Sequence, residues 1–335
     1  MSKDWKDLLL RSGLPLEYEV RECFVEKGCT VWEETSYLRC DAQSETKEFA
    51  YDVHANCWIG GYSVDFIVEC KYKIGDTKWF FTPYPYHYQY DLDKNDFLHP
   101  IDHFVDHSCH FNLRPYSTAF DALGPFCQKG VELFEREYLE KNIRKAISQV
   151  SYAFIDRVTD CWNHQLTVPL FEKAVFCNVP IIITNADLYQ INPKTTVAHI
   201  RKAKAIEEVS TRTDFLLYHN PIGSHLREYN MMKLADFFSS VGEELVHEKL
   251  NSFTKDIHHL STVFCADYCP RLILIMQHTD DHRNYDKLFS YIHEVLEPGE
   301  QTMQKIREFQ EEFERTLERY PDHSQKKDRG QARSE

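Results

Sequence analysis

The stretch YDVHANCWIGGYSVDFIVECKYK, residues 51 to 73, decides how this chain folds. Its second half is a run of apolar β-formers that ends in two opposite charges, Glu69 and Lys71. Side chains alternate along a strand, so these two charges project from one face. Gly60-Gly61 between the halves is a strong two-residue hairpin signal. In such a hairpin paired positions sum to 121, so Ile59 faces Tyr62, Trp58 faces Ser63 and Asp52 faces Glu69. Directly opposed side chains have Cβ atoms about 4.5–5.5 Å apart. Two carboxylates held that close repel unless a cation lies between them, so the register predicts a divalent-metal site at Asp52 and Glu69.

Lys71 completes an Asp…Glu-x-Lys set, with the carbonyl of Cys70 as a further metal ligand. Phosphodiester hydrolysis requires this chemistry. Hard oxygen ligands hold Mg²⁺ or Mn²⁺ against a phosphate oxygen, the metal lowers the pKa of a water, and a lysine orients that water or offsets developing charge. The simpler alternative is a cross-strand pair with a salt bridge on a solvated sheet face.

Upstream, SGLPLEYEVRECFVEKG has a proline near its start, an apolar stripe at Leu16, Val20, Cys23 and Phe24, and Gly28 as its stop, which predicts a helix. Strand-like runs follow at 29–38, 48–58 and 62–72. Residues 75–135 show little periodicity and read as an irregular insertion with one strand at KWFFTPY. A helix is predicted over 139–158, then a fully buried strand over 174–189. The remainder alternates: helix 194–209, strand 214–220, helix 225–250, strand 271–278 and helix 283–296. This order predicts a mixed α/β fold.

Together these stretches resemble the restriction-endonuclease-like PD-(D/E)xK nucleases, whose core is a helix, a three-strand meander, a second helix and a strand. In AYDVHA, Asp52 matches the family's metal-binding Asp, although Tyr51 stands where the nominal motif has Pro. In FIVECKYK, Glu69 and Lys71 match the (D/E)xK pair. The first helix often contributes a glutamate; Glu17 matches that position, and Glu19 is the alternative. Gln149 in ISQVSY lies where some branches carry a substrate-contacting Gln, although the spacing to Tyr152 is one residue short. The resemblance implies a Mg²⁺-dependent endonuclease that cuts DNA to leave a 5′-phosphate, with RNA open as the alternative polymer. It covers residues 12–190. An α/β extension over 191–298 would pack on that core, and 299–335 would form an acidic helix and a disordered tail.

The whole chain of 335 residues is 42% hydrophobic and 27% charged, which fits a globular protein. No apolar run approaches the ~20 residues of a membrane span, and the first residues lack the apolar core of a signal peptide. Eleven cysteines without paired spacing fit free thiols in a reducing cytoplasm. The net charge of −14 demands a local basic groove if nucleic acid binds. Lys71, Lys73 and Lys78, then Lys141, Arg144 and Lys145, then Lys194, Arg201, Lys202 and Lys204 are its candidates.

Other features compete. His99, His103, His107 and His110 would share one face of a helix, as in a zinc or iron enzyme, or would decorate a polar insertion. Cys265 and Cys269 in CADYC read as buried thiols. A catalytically silent binding or scaffold module on the same fold is the remaining alternative.

Overall fold

The computed structural model describes residues 5–32, 35–40, 46–84, 94–105, 122–135, 137–250 and 256–319. Helices α1 (Trp5–Arg11) and α2 (Leu14–Glu26) lead into strands β1 (Thr30–Trp32), β2 (Thr35–Cys40), β3 (Thr46–Tyr51), β4 (Val53–Ile59) and β5 (Tyr62–Lys71). Strands β6 (Lys78–Pro83), β7 (His99–Ile101), β8 (Phe126–Phe134) and β9 (Glu137–Leu139) precede the long helix α3 (Lys141–Thr167). Next come β10 (Val175–Thr184), β11 (Asp187–Ile191), α4 (Val197–Lys202), β12 (Ser210–Thr213) and β13 (Phe215–His219). The chain continues through α5 (Ser224–Val241), α6 (Glu243–Leu250), α7 (Ile257–Asp267), β14 (Leu272–Gln277), α8 (Arg283–Leu296) and α9 (Glu300–Arg319).

The Gly-Gly turn behaves as its chemistry requires. Gly60 and Gly61 both have positive φ, 59° and 82°, as a tight hairpin between right-twisted strands needs. Gly60 is also pinned by packing, because a Cβ there would come 2.7 Å from the Leu296 carbonyl oxygen. The β4–β5 ladder then runs from Ile59↔Tyr62 to Val53↔Val68 in the expected register.

This hairpin starts one side of a mixed twelve-stranded sheet ordered β1-β4-β5-β10-β14-β13-β8-β6-β11-β12, with β7 on β10 and β9 on β8. β1 and β4, and β4 and β5, pair antiparallel; β5 and β10 pair parallel along the whole length of β10. The connection between those parallel strands carries α3. Every residue of β10 is buried, as befits a strand covered on both faces. Pro180 of β10 has no N–H to offer, and it lies between the segment paired with β7 and the one paired with β14.

The sheet separates two cores. Even residues of β5 and odd residues of β10 join α2, α8 and Ile306 of α9 around Phe24, Phe66 and Tyr285. The other face carries Ile67, Phe176 and Ile182 against α3, α5 and α7, with Trp162 at its centre. α8 supplies Leu288, Ile292 and Val295 at helical spacing, and its span equals the expected one.

Several expectations change. Residues 75–135 are not merely an irregular insertion with one strand: β6 and β8 pair antiparallel inside the main sheet, and β7 pairs with β10. Pro and Gly residues mask β8 in the sequence, yet Gly130 is needed, since a Cβ there would lie 2.4 Å from the Phe81 ring. The run 29–38 divides into β1 and β2, and 48–58 breaks at Asp52 into β3 and β4, with β2 and β3 forming a separate two-stranded sheet. The run 174–189 divides into β10 and β11. The expected helix 194–209 reduces to α4, which buries no side chain, and a 3-10 turn at Ile206–Glu208. Gly242, with φ of 93°, divides the expected helix 225–250 into α5 and α6. Segment 191–298 does not simply pack on the rest, because β13 and β14 stand within the same sheet, β14 directly beside β10. No described helix is long and apolar enough to cross a membrane. The tail beyond Arg319 lies outside the described residues.

Candidate active site at the end of the hairpin

Regular pairing of β4 with β5 stops one residue before the expected Asp52–Glu69 pair. The Asp52 amide donates to the Val68 carbonyl at 3.1 Å, although Val53 is the ladder partner of Val68. Two residues therefore oppose one, the signature of a bulge. Asp52 also uses its side chain: the Cys70 amide donates to Asp52 Oδ2 at 2.6 Å. The carboxylate thus takes the place of a ladder carbonyl at the point where the chain passes between sheets. The expectation that Asp52 sits squarely opposite Glu69 is corrected to this position beside it.

Glu69 is fully buried, at 0% exposure. Its Oε1 accepts a charged hydrogen bond from Lys71 Nζ, and its Oε2 is a buried oxygen without a hydrogen-bond partner among the described residues. Burial pushes the Glu69 pKa up to about 8; the nearby Asp52 charge adds to this, while Lys71 and then Lys145 oppose it. Asp52, Glu69, Lys71 and Lys145 therefore share one electrostatic neighbourhood. Neighbouring β10 locks Lys71 by its backbone, since Thr184 Oγ1 donates to the Lys71 carbonyl at 2.7 Å. The Cys70 side chain belongs to the α2 core, and its amide points towards Asp52. In a strand the N–H and C=O of one residue leave on the same side, so the Cys70 carbonyl lies on the Asp52 side too.

The remaining expected site residues separate in role. Glu17 is half-buried on α2, and its charge bears on the Cys70 thiol. Its Oε1 folds back towards Gly13, where a Cβ would stand 2.9 Å away. Glu19 is exposed and pairs with His278 at 3.1 Å. Gln149 ties α3 to the small sheet: its Nε2 donates to the Ala50 carbonyl at 3.2 Å, and its backbone carbonyl accepts from Tyr37 Oη at 3.1 Å.

The basic candidates also divide. Lys73 is an internal strut, paired with Glu132 at 2.7 Å and placed over the Trp79 ring. Lys78 pairs with Asp76, and Arg144 with Glu140. Lys145 bears on Glu69.

Among the described residues the expected histidine helix is absent. His99 opens a strand against Phe154, and His103 lies in a turn, bonded to Tyr268 and packed on Phe264. His107 and His110 lie outside the described residues. Cys265 and Cys269 are buried free thiols.

No three His, Cys, Asp or Glu side chains among the described residues form a group able to hold a metal by themselves. Mg²⁺ does not demand one, because it keeps several waters and takes one or two carboxylates plus substrate phosphate oxygens. Asp52 and the unpartnered Oε2 of Glu69 supply oxygens of that kind. Comparison with known proteins adds no relative: no family model, curated protein or solved structure matches the chain.

A second cluster escaped the sequence reading. On the same sheet face, His54 Nε2 meets Asp65 Oδ1 at 2.7 Å, and Arg157 of α3 reaches that oxygen at 3.4 Å. Asp65 stands in the apolar run YSVDFIV, and a carboxylate there was the available signal.

Proposed function

We propose that this chain is a divalent-metal-dependent nuclease with a restriction-endonuclease-like PD-(D/E)xK core, hydrolysing phosphodiester bonds in DNA. The observation that carries the reading is the Asp52–Glu69–Lys71 cluster at the end of the Gly60-Gly61 hairpin, with one Glu69 oxygen buried and unpartnered. The order α2, β1, β4, β5, α3, β10, with two antiparallel pairings and then a parallel one, supports the core assignment.

Asp52 and Glu69 would hold Mg²⁺ or Mn²⁺, with the Cys70 carbonyl beside them. When bound, the cation polarises the scissile phosphate and lowers the pKa of a nucleophilic water. Burial raises the Glu69 pKa, so holding the cation would require its carboxyl proton to pass to solvent. Lys71, which contacts Glu69, would position the attacking water or offset charge on a phosphate oxygen. Lys145 offsets negative charge on the phosphate from the α3 side, and Asp52 keeps its carboxylate in place through the Cys70 amide. In-line attack opposite the leaving oxygen leaves a 5′-phosphate.

The test is cleavage of linear, circular and single-stranded DNA by the purified chain, with and without Mg²⁺, beside Asp52→Asn and Lys71→Ala. Mg²⁺-dependent cutting lost in both variants is expected. Cutting retained by either variant overturns the mechanism.

A further inference from the structure

A cleft of about 770 Å³ opens on the same face of β4 and β5 as the proposed catalytic cluster. His54 pairs with Ile67, two residues before Glu69 on β5, so the cleft begins roughly 7 Å along that strand from Glu69. The walls are aromatic. Trp58 is 55% exposed and lies parallel to Phe171, with an interplanar angle of 6° and centroids 6.4 Å apart. Trp32 is 47% exposed and stacks on His54 at 4.7 Å. Indoles this exposed forgo burial of a large apolar surface, and both do so at one cleft.

The floor is polar and built. Asp65, only 2% exposed, is fixed by His54 and Arg157, and Asn56 Nδ2 donates to Ser63 Oγ at 2.8 Å. Arg157 also holds Asp160 at 3.0 Å. Its single charge is therefore matched by two carboxylates. A phosphate would meet a floor with no surplus positive charge. A neutral planar ring bearing amino and carbonyl groups would meet aromatic faces and hydrogen-bonding side chains together.

We propose that this cleft receives an unpaired nucleobase of the substrate strand, one that neighbours the scissile phosphate. The inference rests on the nuclease reading for its substrate and adds a preference for single-stranded or locally opened nucleic acid. Trp58 and Trp32 stack on the base, and Asn56 meets its polar edge. Because pairing and stacking in a duplex compete with the cleft, a mismatched or single-stranded site is favoured over an intact one.

The test uses the full chain in EDTA with a short single-stranded oligonucleotide carrying 2-aminopurine, whose fluorescence falls on stacking. Wild type is expected to quench it. Trp58→Ala is expected to lose both the quench and roughly five- to 150-fold in affinity, the range of one lost base stack. Trp58→Phe should restore most of both. Trp58 is exposed enough for truncation to leave the fold intact, and circular dichroism checks this. Equal binding and equal quench in wild type and Trp58→Ala overturns the base site, while Mg²⁺-dependent cleavage in the same preparations leaves the nuclease reading standing. Stronger binding to the intact duplex than to the single strand also overturns the base site. Absence of both binding and cleavage overturns the two together.

Discussion

The Cys70 amide donates to Asp52 Oδ2 at 2.6 Å, where the β4–β5 ladder gives way to a bulge. One carboxylate thereby has two tasks. It satisfies a backbone donor of a buried strand, and it sets its charge close enough to Glu69 to raise that group's pKa. Fold and proposed chemistry meet in the same side chain, so variants at Asp52 separate them only if the hydrogen bond is kept.

Asp52→Asn retains an acceptor for the Cys70 amide and removes the charge. Its unfolding free energy is expected to stay within about 1 kcal/mol of wild type, while Mg²⁺-dependent cleavage is lost. Asp52→Ala removes the acceptor as well and is expected to cost about 1–3 kcal/mol of stability. Urea denaturation of the pair measures the difference. Equal stability of the two variants would refute the capping role.

Glu69 gives the pH dependence its sign. Its folded pKa, about 8, lies above the ordinary value of 4.5. The protonated form is therefore favoured by folding, and the associated stability is complete below about pH 4.5 and lost as pH rises through about 8. Relative to Glu69→Gln, wild type should lose stability across that window by at most about 1.4 kcal/mol per pH unit. Mg²⁺ should reduce the loss, because a cation favours the ionised carboxylate. Parallel pH profiles for the two proteins would contradict the assignment.

The hairpin was legible because Gly60-Gly61 and the alternation around it are local, and α8 was legible because its apolar stripe is uninterrupted. The bulge at Asp52 was not. It depends on a hydrogen bond between residues in different strands, to which a residue-number sum is blind. The membership of β8 in the main sheet was hidden by Pro125 and Gly130, which look like breakers until Phe81 is seen lying against Gly130. In the candidate site, the sequence placed Asp52, Glu69 and Lys71 near one another from spacing alone. It could not show that Gln149 braces the small sheet, nor join Asp65 to Arg157 on a distant helix.

Lys71→Ala leaves the buried Glu69 without its hydrogen-bonded cation. Lys71 holds the Glu69 pKa down, so its loss raises that pKa further. At pH 6 Glu69 is protonated with or without Lys71, and the substitution should cost little. At pH 9 wild-type Glu69 is ionised and paired while the variant keeps its proton, so the variant should be weaker than at pH 6 by up to about 1.4 kcal/mol, the linkage of one pH unit above a wild-type pKa of about 8. Chemical denaturation at both pH values measures this. The same cost at pH 6 and pH 9 would show that the Lys71–Glu69 contact does not control the ionisation of Glu69.

Arg157→Ala should be among the most destabilising changes outside the apolar cores. Burial works against the Arg157 charge, but Asp65 and its neighbours outweigh it, so the guanidinium pKa is raised and the group stays charged. Removing it leaves the Asp65 carboxylate, 2% exposed, facing only the His54 ring among the described ion pairs. The expected cost is about 3–5 kcal/mol. Asp65→Asn in the same chain removes the stranded charge, so the double variant should be more stable than the sum of the single changes implies, by roughly 0.5–3 kcal/mol. Thermal or urea unfolding of the four proteins in the cycle measures the coupling. Strict additivity would mean that Arg157 acts through packing along its aliphatic stem and not through Asp65.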